Sequence, residues 1–216
     1  FLVVEDVYAV SKGLSAMDFT VDMLGQTKYL MFFVAIILSA ISVANELENG
    51  LMKMAVIRIC SRPKILIAKY FALLTVLGSV LLLYVIWCLV IYLVMLLWSS
   101  PFANGDFSSG ILREQIYYIF FTFVGIAISV AATMLIGLKL KTFPCFAVSY
   151  TVWFTSLYSD FFEKIRLFIP NNLPDYALEH AGNAINFLPY AALFTGYCVV
   201  MMAVAVVIFK RMDIKV

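Results

Sequence analysis

The chain has 216 residues, of which 64% are hydrophobic and 13% charged, with a net charge of +2. Soluble domains carry about 25% charged residues, so this composition excludes a water-solvated globule and asks for hydrocarbon as solvent. A single all-α integral membrane domain follows, and the lack of any like-charge run excludes a nucleic-acid partner.

In chain order, residues 1–28 read as an outer segment. Its start, FLVVEDVYAVSKGL, is acidic and lacks the positive n-region of a signal peptide. The first apolar run gives a span over 29–45, and the polar stretch 46–64 follows it. A long span covers 65–98, and 99–114 is an outer loop broken by Pro101 and Gly105. Further spans are expected at 115–138, at 142–159 after a tight turn at 139–141, and at 187–209 before the tail 210–216. Residues 160–186 are expected to form an outer re-entrant segment of short helices stopped by Pro170 and Pro174. A crossing takes about 20 helical residues, so 29–45 and 142–159 must borrow flanking residues.

Charge fixes the expected orientation. Ten of the fifteen Lys and Arg residues fall on alternate junctions: Lys53, Arg58, Arg62, Lys64 and Lys69, then Lys139 and Lys141, then Lys210, Arg211 and Lys215. The other junctions are dominated by acids, among them Asp18, Asp22, Asp106, Glu114, Asp160 and Asp175. The positive-inside rule then puts 46–64, 139–141 and the C-terminus in the cytoplasm of a multi-pass cell-membrane protein, with residue 1 outside. An outside start without a signal peptide predicts a sixth, N-terminal helix upstream of the five spans.

The catalytic inventory is nearly empty. There is no GxxxxGK[ST] phosphate loop, HExxH or GxSxG, so no enzyme activity and no cofactor or metal site are expected. The single His180 and the separated Cys60, Cys88, Cys145 and Cys198 form no metal-ligand pattern, and the cysteines are expected to be reduced. Ser39, Thr75, Ser79, Thr122, Ser129 and Thr133 are expected to bond back to helix carbonyls. Apart from Lys69 at the start of 65–98, the expected spans hold no Asp, Glu, Lys, Arg or His, which argues against an ion-coupled transporter, because coupling ions need an ionisable group at membrane depth. Energy for transport would have to enter from another subunit.

The stretch with the right chemistry to receive it is NELENGLMKMAVIRICSRPKILIAK, residues 45–69. Glu46 and Glu48 end the first span, and Gly50 suits a C-cap or break. Leu51, Met54 and Ala55 form an apolar stripe at helical spacing, with Lys53 and Arg58 off it, as on a short helix lying at the membrane surface. Ser61 is a candidate cap, and Pro63 suits the first turn of a helix running through Lys69 into the long span. A basic loop anchored to anionic head groups is the plainer reading of the same residues.

The pattern E-x-E-x-G-x-x-K, then a short helix, then S-R-P-K-I-L-x-A-K, resembles the permease subunits of type-2 ABC transporters. It covers Glu46, Glu48, Gly50, Ser61, Arg62 and Lys69, and departs from the family in placing Pro63 after Arg62 rather than a proline before Ser61. The resemblance implies a six-helix half-transporter that pairs with a second permease, identical or related, and with two cytosolic ATP-binding cassette subunits that hold ATP and Mg. It implies that Leu51, Lys53, Met54 and the residues to Cys60 form a coupling helix, with Glu46 and Glu48 bonding the ATPase or bracing that helix. Arg58, Arg62 and Lys69 would supply complementary charge or a head-group anchor. Export of an amphiphilic or apolar substrate (peptide, antibiotic or lipid) is the implied activity. The alternative is a non-transporting assembly or sensor protein that docks a cytosolic partner through 46–64.

Overall fold

The computed structural model describes residues 14–51, 62–98, 103–108, 112–156 and 184–211. Helix α1 (Ala16–Ala40) passes into a π-helical stretch (Ile41–Asn45) and a last turn, α2 (Glu46–Glu48). Helices α3 (Arg62–Leu97), α4 (Leu112–Gly137), α5 (Thr142–Ser156) and α6 (Ala184–Arg211) follow. Among the described residues there is no β-strand, only an isolated bridge between Leu14 and Ala103. Four segments are long and apolar enough to cross a membrane: Ala16–Glu48, Pro63–Leu97, Leu112–Gly137 and Ala191–Arg211. The protein is therefore all-α and membrane-embedded. The 15 described residues of α5 fall short of a full crossing by themselves.

Helix α4 is the most buried of these segments and packs most extensively on α1. Phe32, Ile36, Val43, Leu66, Ile126, Val130, Met134 and Phe209 interlock between α1, α3, α4 and α6. An aromatic seam joins α1 to α5, with Phe32 stacked on Trp153 at 5.7 Å and Phe33 edge-on to Tyr150 at 5.5 Å. At the basic end α1, α4 and α5 converge on small side chains. A Cβ at Gly137 would stand 3.3 Å from Cys145 Sγ and 3.4 Å from Ala44 Cβ, the close approach that small residues permit between membrane helices. Helix α3 is peripheral, with Phe71, Leu83 and Trp87 more than half exposed, a surface that only lipid or another apolar partner satisfies.

The first helix is longer than its apolar run. Residues 16–28, expected in an outer segment, are helical and continuous with the run expected to cross at 29–45, so that helix starts at Ala16. Charge-free runs miss this helix because Asp18, Asp22 and Lys28 interrupt them. Asp18 belongs in a first turn, where a carboxylate complements the helix dipole, and Ser15 Oγ caps the helix by accepting from the Asp18 N–H at 3.3 Å. The Gln115 side-chain amide also donates to the Asp18 carboxylate, tying α1 to α4. Lys28 is 3% exposed, its ammonium 5.5 Å and 5.7 Å from the ring centres of Tyr29 and Tyr118, so a cation expected in an outer segment lies inside the bundle. Opposite the basic end, residues 103–108 close over the start of α1. The N–H groups of Ala16 and Met17 donate to the carbonyls of Asp106 and Phe107, each at 3.0 Å, and the Tyr92 hydroxyl reaches the Leu14 carbonyl at 3.0 Å.

Hydroxyls behave as expected in Ser39, Thr75, Ser79, Thr122 and Ser129, each donating to the carbonyl four residues earlier. Cys88, Cys145 and Cys198 are free thiols. The expected re-entrant segment at 160–186 lies almost wholly outside the described residues.

Candidate coupling site

Of the residues singled out between Asn45 and Lys69, Glu46, Glu48, Gly50 and Lys69 converge on one junction at the basic end. The π-helical stretch prepares it. A π turn shifts the backbone pairing register, and the Glu46 N–H turns to the Val43 carbonyl. Lys69, two turns into α3, donates from Nζ to the Ser42 carbonyl at 3.0 Å and to Glu46 Oε1 at 2.5 Å. The pair is only partly open to solvent, with 20% of the Lys69 side chain and 32% of the Glu46 side chain exposed. That geometry makes the contact stronger than a fully solvated ion pair, which contributes about 0–1 kcal/mol.

Glu48 secures a third helix. Its Oε2 accepts from the Thr142 N–H at 3.2 Å and from the Thr142 hydroxyl at 3.0 Å, and Lys141 Nζ stands 3.9 Å from Oε1. Thr142 opens α5, where backbone N–H groups have no partner within their own helix. Pro144 contributes no N–H there, so a carboxylate from another helix satisfies a donor that the first turn leaves open. Glu48 lies past the apolar run, at the tip of a 33-residue helix of about 50 Å. The Thr142 N–H, then its hydroxyl, and the nearby Lys141 charge hold the Glu48 carboxyl below the usual carboxylate range.

Gly50 closes the junction with φ +71°, a left-handed conformation that glycine adopts without the Cβ penalty. The Asn49 side-chain amide donates to Asn45 Oδ1 at 2.8 Å across this turn. Leu51, the next residue, is 51% exposed. Arg62 is the first residue of α3, with Pro63 in its first turn. Lys53, Met54, Arg58 and Ser61 lie outside the described residues, as does the rest of the expected coupling helix.

The acidic pair therefore faces its own protein. Glu46 bonds α3 and Glu48 bonds α5, so the end of α1 is bolted to two neighbours. Of the proposed partners, Lys69 was named from the sequence. Lys141 was named only as a junction charge, and Ser42 and Thr142 were not named as partners, Thr142 being 94 residues from Glu48 in the chain. The available signal was the threonine itself, at a helix start two residues before a proline.

Together these features define an α-helical membrane protein with a charged junction at the basic end of a largely apolar bundle. The chain belongs to DUF2705, a family of proteins of unknown function, whose model matches residues 2–215. No curated protein matches it significantly.

Proposed function

We propose that the chain is the permease subunit of an ATP-driven ABC transporter, moving an amphiphilic or apolar substrate across the cell membrane. In this reading the basic end faces the cytoplasm, and residues 51–60 receive a separate ATP-binding subunit. The observation that carries the proposal is the junction itself: Glu46–Lys69 and Glu48–Thr142 tie the end of the first span, which leads into that segment, to α3, which leads out of it, and to α5. A push on residues 51–60 then moves three helices together instead of bending one loop. Exposed Leu51 begins the surface that meets the ATPase. The apolar faces of α3 and α6 are available to lipid and to the second permease that a half-transporter needs.

Purification from native membranes tests the proposal. The expected result is a complex containing a subunit with a phosphate loop and no membrane span, whose ATP hydrolysis responds to substrate. Leu51→Asp and Arg58→Glu should uncouple hydrolysis from transport while leaving membrane insertion unchanged. A stable complex free of any nucleotide-binding protein, active without ATP, would instead support the docking or sensor reading.

A further inference from the structure

Ser149 departs from the pattern that most helix hydroxyls follow. Ser39, Thr75, Ser79, Thr122, Ser129 and Thr151 each donate to the carbonyl four residues back. Ser149 is 6% exposed, yet its Oγ has no hydrogen-bond partner among the described residues. The thiol of Cys145, a weak acceptor, lies beside it. A buried hydroxyl left in that state costs about 1–3 kcal/mol, so the site gains from any ligand that brings an acceptor.

Ser149 also belongs to the wall of a cleft of about 180 Å³ between α1, α4, α5 and α6. That volume is below the roughly 300–1,000 Å³ of sites that enclose a drug-sized ligand, and it suits a slender segment such as part of one acyl chain. The remaining wall is almost wholly apolar, with Phe32, Ile36, Ile136 and Met201 among its residues. Ser129 also lines it, but its hydroxyl is turned back to the Gly125 carbonyl at 3.1 Å. Val152, 62% exposed, stands at the mouth, so the cleft opens on the outer surface of the bundle. Ser149 is seven residues along α5 from Thr142, about 10 Å at 1.5 Å per residue. With Thr142 taken as the outer edge of a head-group layer, roughly 5–8 Å thick, this hydroxyl would fall near the level where acyl esters give way to hydrocarbon.

We propose that the cleft holds the carbonyl end of a single acyl chain, an ester or similar group, with the Ser149 hydroxyl donating to that oxygen and the adjoining methylenes lying along Phe32, Ile36 and Trp153. The site does not depend on ATP-driven transport, and binding is expected in the isolated chain. A bilayer phospholipid and a free acyl ester share this chemistry.

The test uses Trp153 as the reporter. Trp87→Phe and Trp98→Phe remove the other two tryptophans, which are 62% and 85% exposed. One arm reconstitutes this protein in bilayers of phosphatidylcholine brominated on the acyl chain. The other adds a brominated fatty-acid methyl ester to unbrominated bilayers. Quenching of Trp153 is expected in both arms, saturable in the second, and mostly lost when Ala132→Phe fills the cleft. Ser129→Leu serves the same purpose if Ala132→Phe does not fold, folding being checked by an unchanged melting temperature. Ser149→Ala should raise the ester concentration for half-quenching about three- to tenfold, the worth of one hydrogen bond. Quenching by the ester alone would keep the site and assign it to free acyl compounds. Quenching by bilayer lipid that survives both cleft-filling variants, or no quenching in either arm, would overturn the proposal. An unchanged ester response in Ser149→Ala would remove the hydroxyl from it.

Discussion

Replacing Lys69 with methionine keeps the length and apolar stem of the side chain and removes its charge. The ammonium serves two acceptors, the Ser42 carbonyl at 3.0 Å and Glu46 at 2.5 Å. A hydrogen bond to a charged group contributes about 1.5–3 kcal/mol when shielded and an exposed ion pair about 0–1 kcal/mol. With 20% and 32% of the two side chains exposed, the Lys69→Met loss should fall between these limits, about 1–2 kcal/mol. For a chain of this size each kcal/mol lowers the melting temperature by about 2–4 °C. The expected fall is therefore about 2–8 °C, followed by tryptophan fluorescence in lipid nanodiscs. Glu46→Gln should lose less, because its amide still accepts from Lys69. The double variant should lose less than the two single losses together, with a coupling of about 1 kcal/mol. Melting temperatures within about 1 °C of wild type for both single variants, or strict additivity, would refute the bolted junction.

Three further outcomes are expected. Because the Glu48 carboxyl is held below its ordinary value of 4.5, its contribution to stability is full above the unfolded pKa and is lost as pH falls through the folded one. The stability gap between wild type and Glu48→Gln, followed by thermal melts across pH, should therefore be constant near neutrality and close in acid. Gly137→Val should cost about 1–3 kcal/mol by overpacking, since Cys145 and Ala44 already stand at 3.3 Å and 3.4 Å from a Cβ there. Gly196→Ala, where a Cβ meets nothing within 4 Å, should stabilise α6 by about 0.5–1 kcal/mol, and melting temperatures of the two variants should move in opposite directions. Phe32→Ala, which empties a side chain 1% exposed and stacked on Trp153, should cost about 3–5 kcal/mol and weaken the near-ultraviolet dichroism of the aromatic seam.

Much of this architecture is legible in the order of residues, because hydrocarbon demands long uninterrupted apolar helices. The extents of α3, α4 and α6 follow the apolar runs to within a few residues. The grouping of Glu46, Glu48, Gly50 and Lys69 was also readable, since these are polar residues at the margins of two spans. What the sequence hid is long-range pairing. Asp18 and Lys28 look like loop charges until Ser15, Gln115 and Tyr118 supply a cap, an amide and an aromatic face. The acids of the E-x-E pattern look available to a partner protein until Lys69 and Thr142 are found against them. Ser149 looks like any other helix serine, and only the cleft beside it distinguishes its hydroxyl.

The central claim is that the chain between Gly50 and Arg62 receives an ATP-binding subunit. The most direct measurement puts a photo-crosslinking amino acid at Leu51, 51% exposed where the chain leaves the junction, with Leu83 on the apolar face of α3 as the control position. Irradiation of native membranes should join the Leu51 position to a protein that carries a phosphate loop and binds ATP, and the Leu83 position should give no such adduct. Adducts from Leu51 only to lipid, or to a protein without a nucleotide site, would contradict the account.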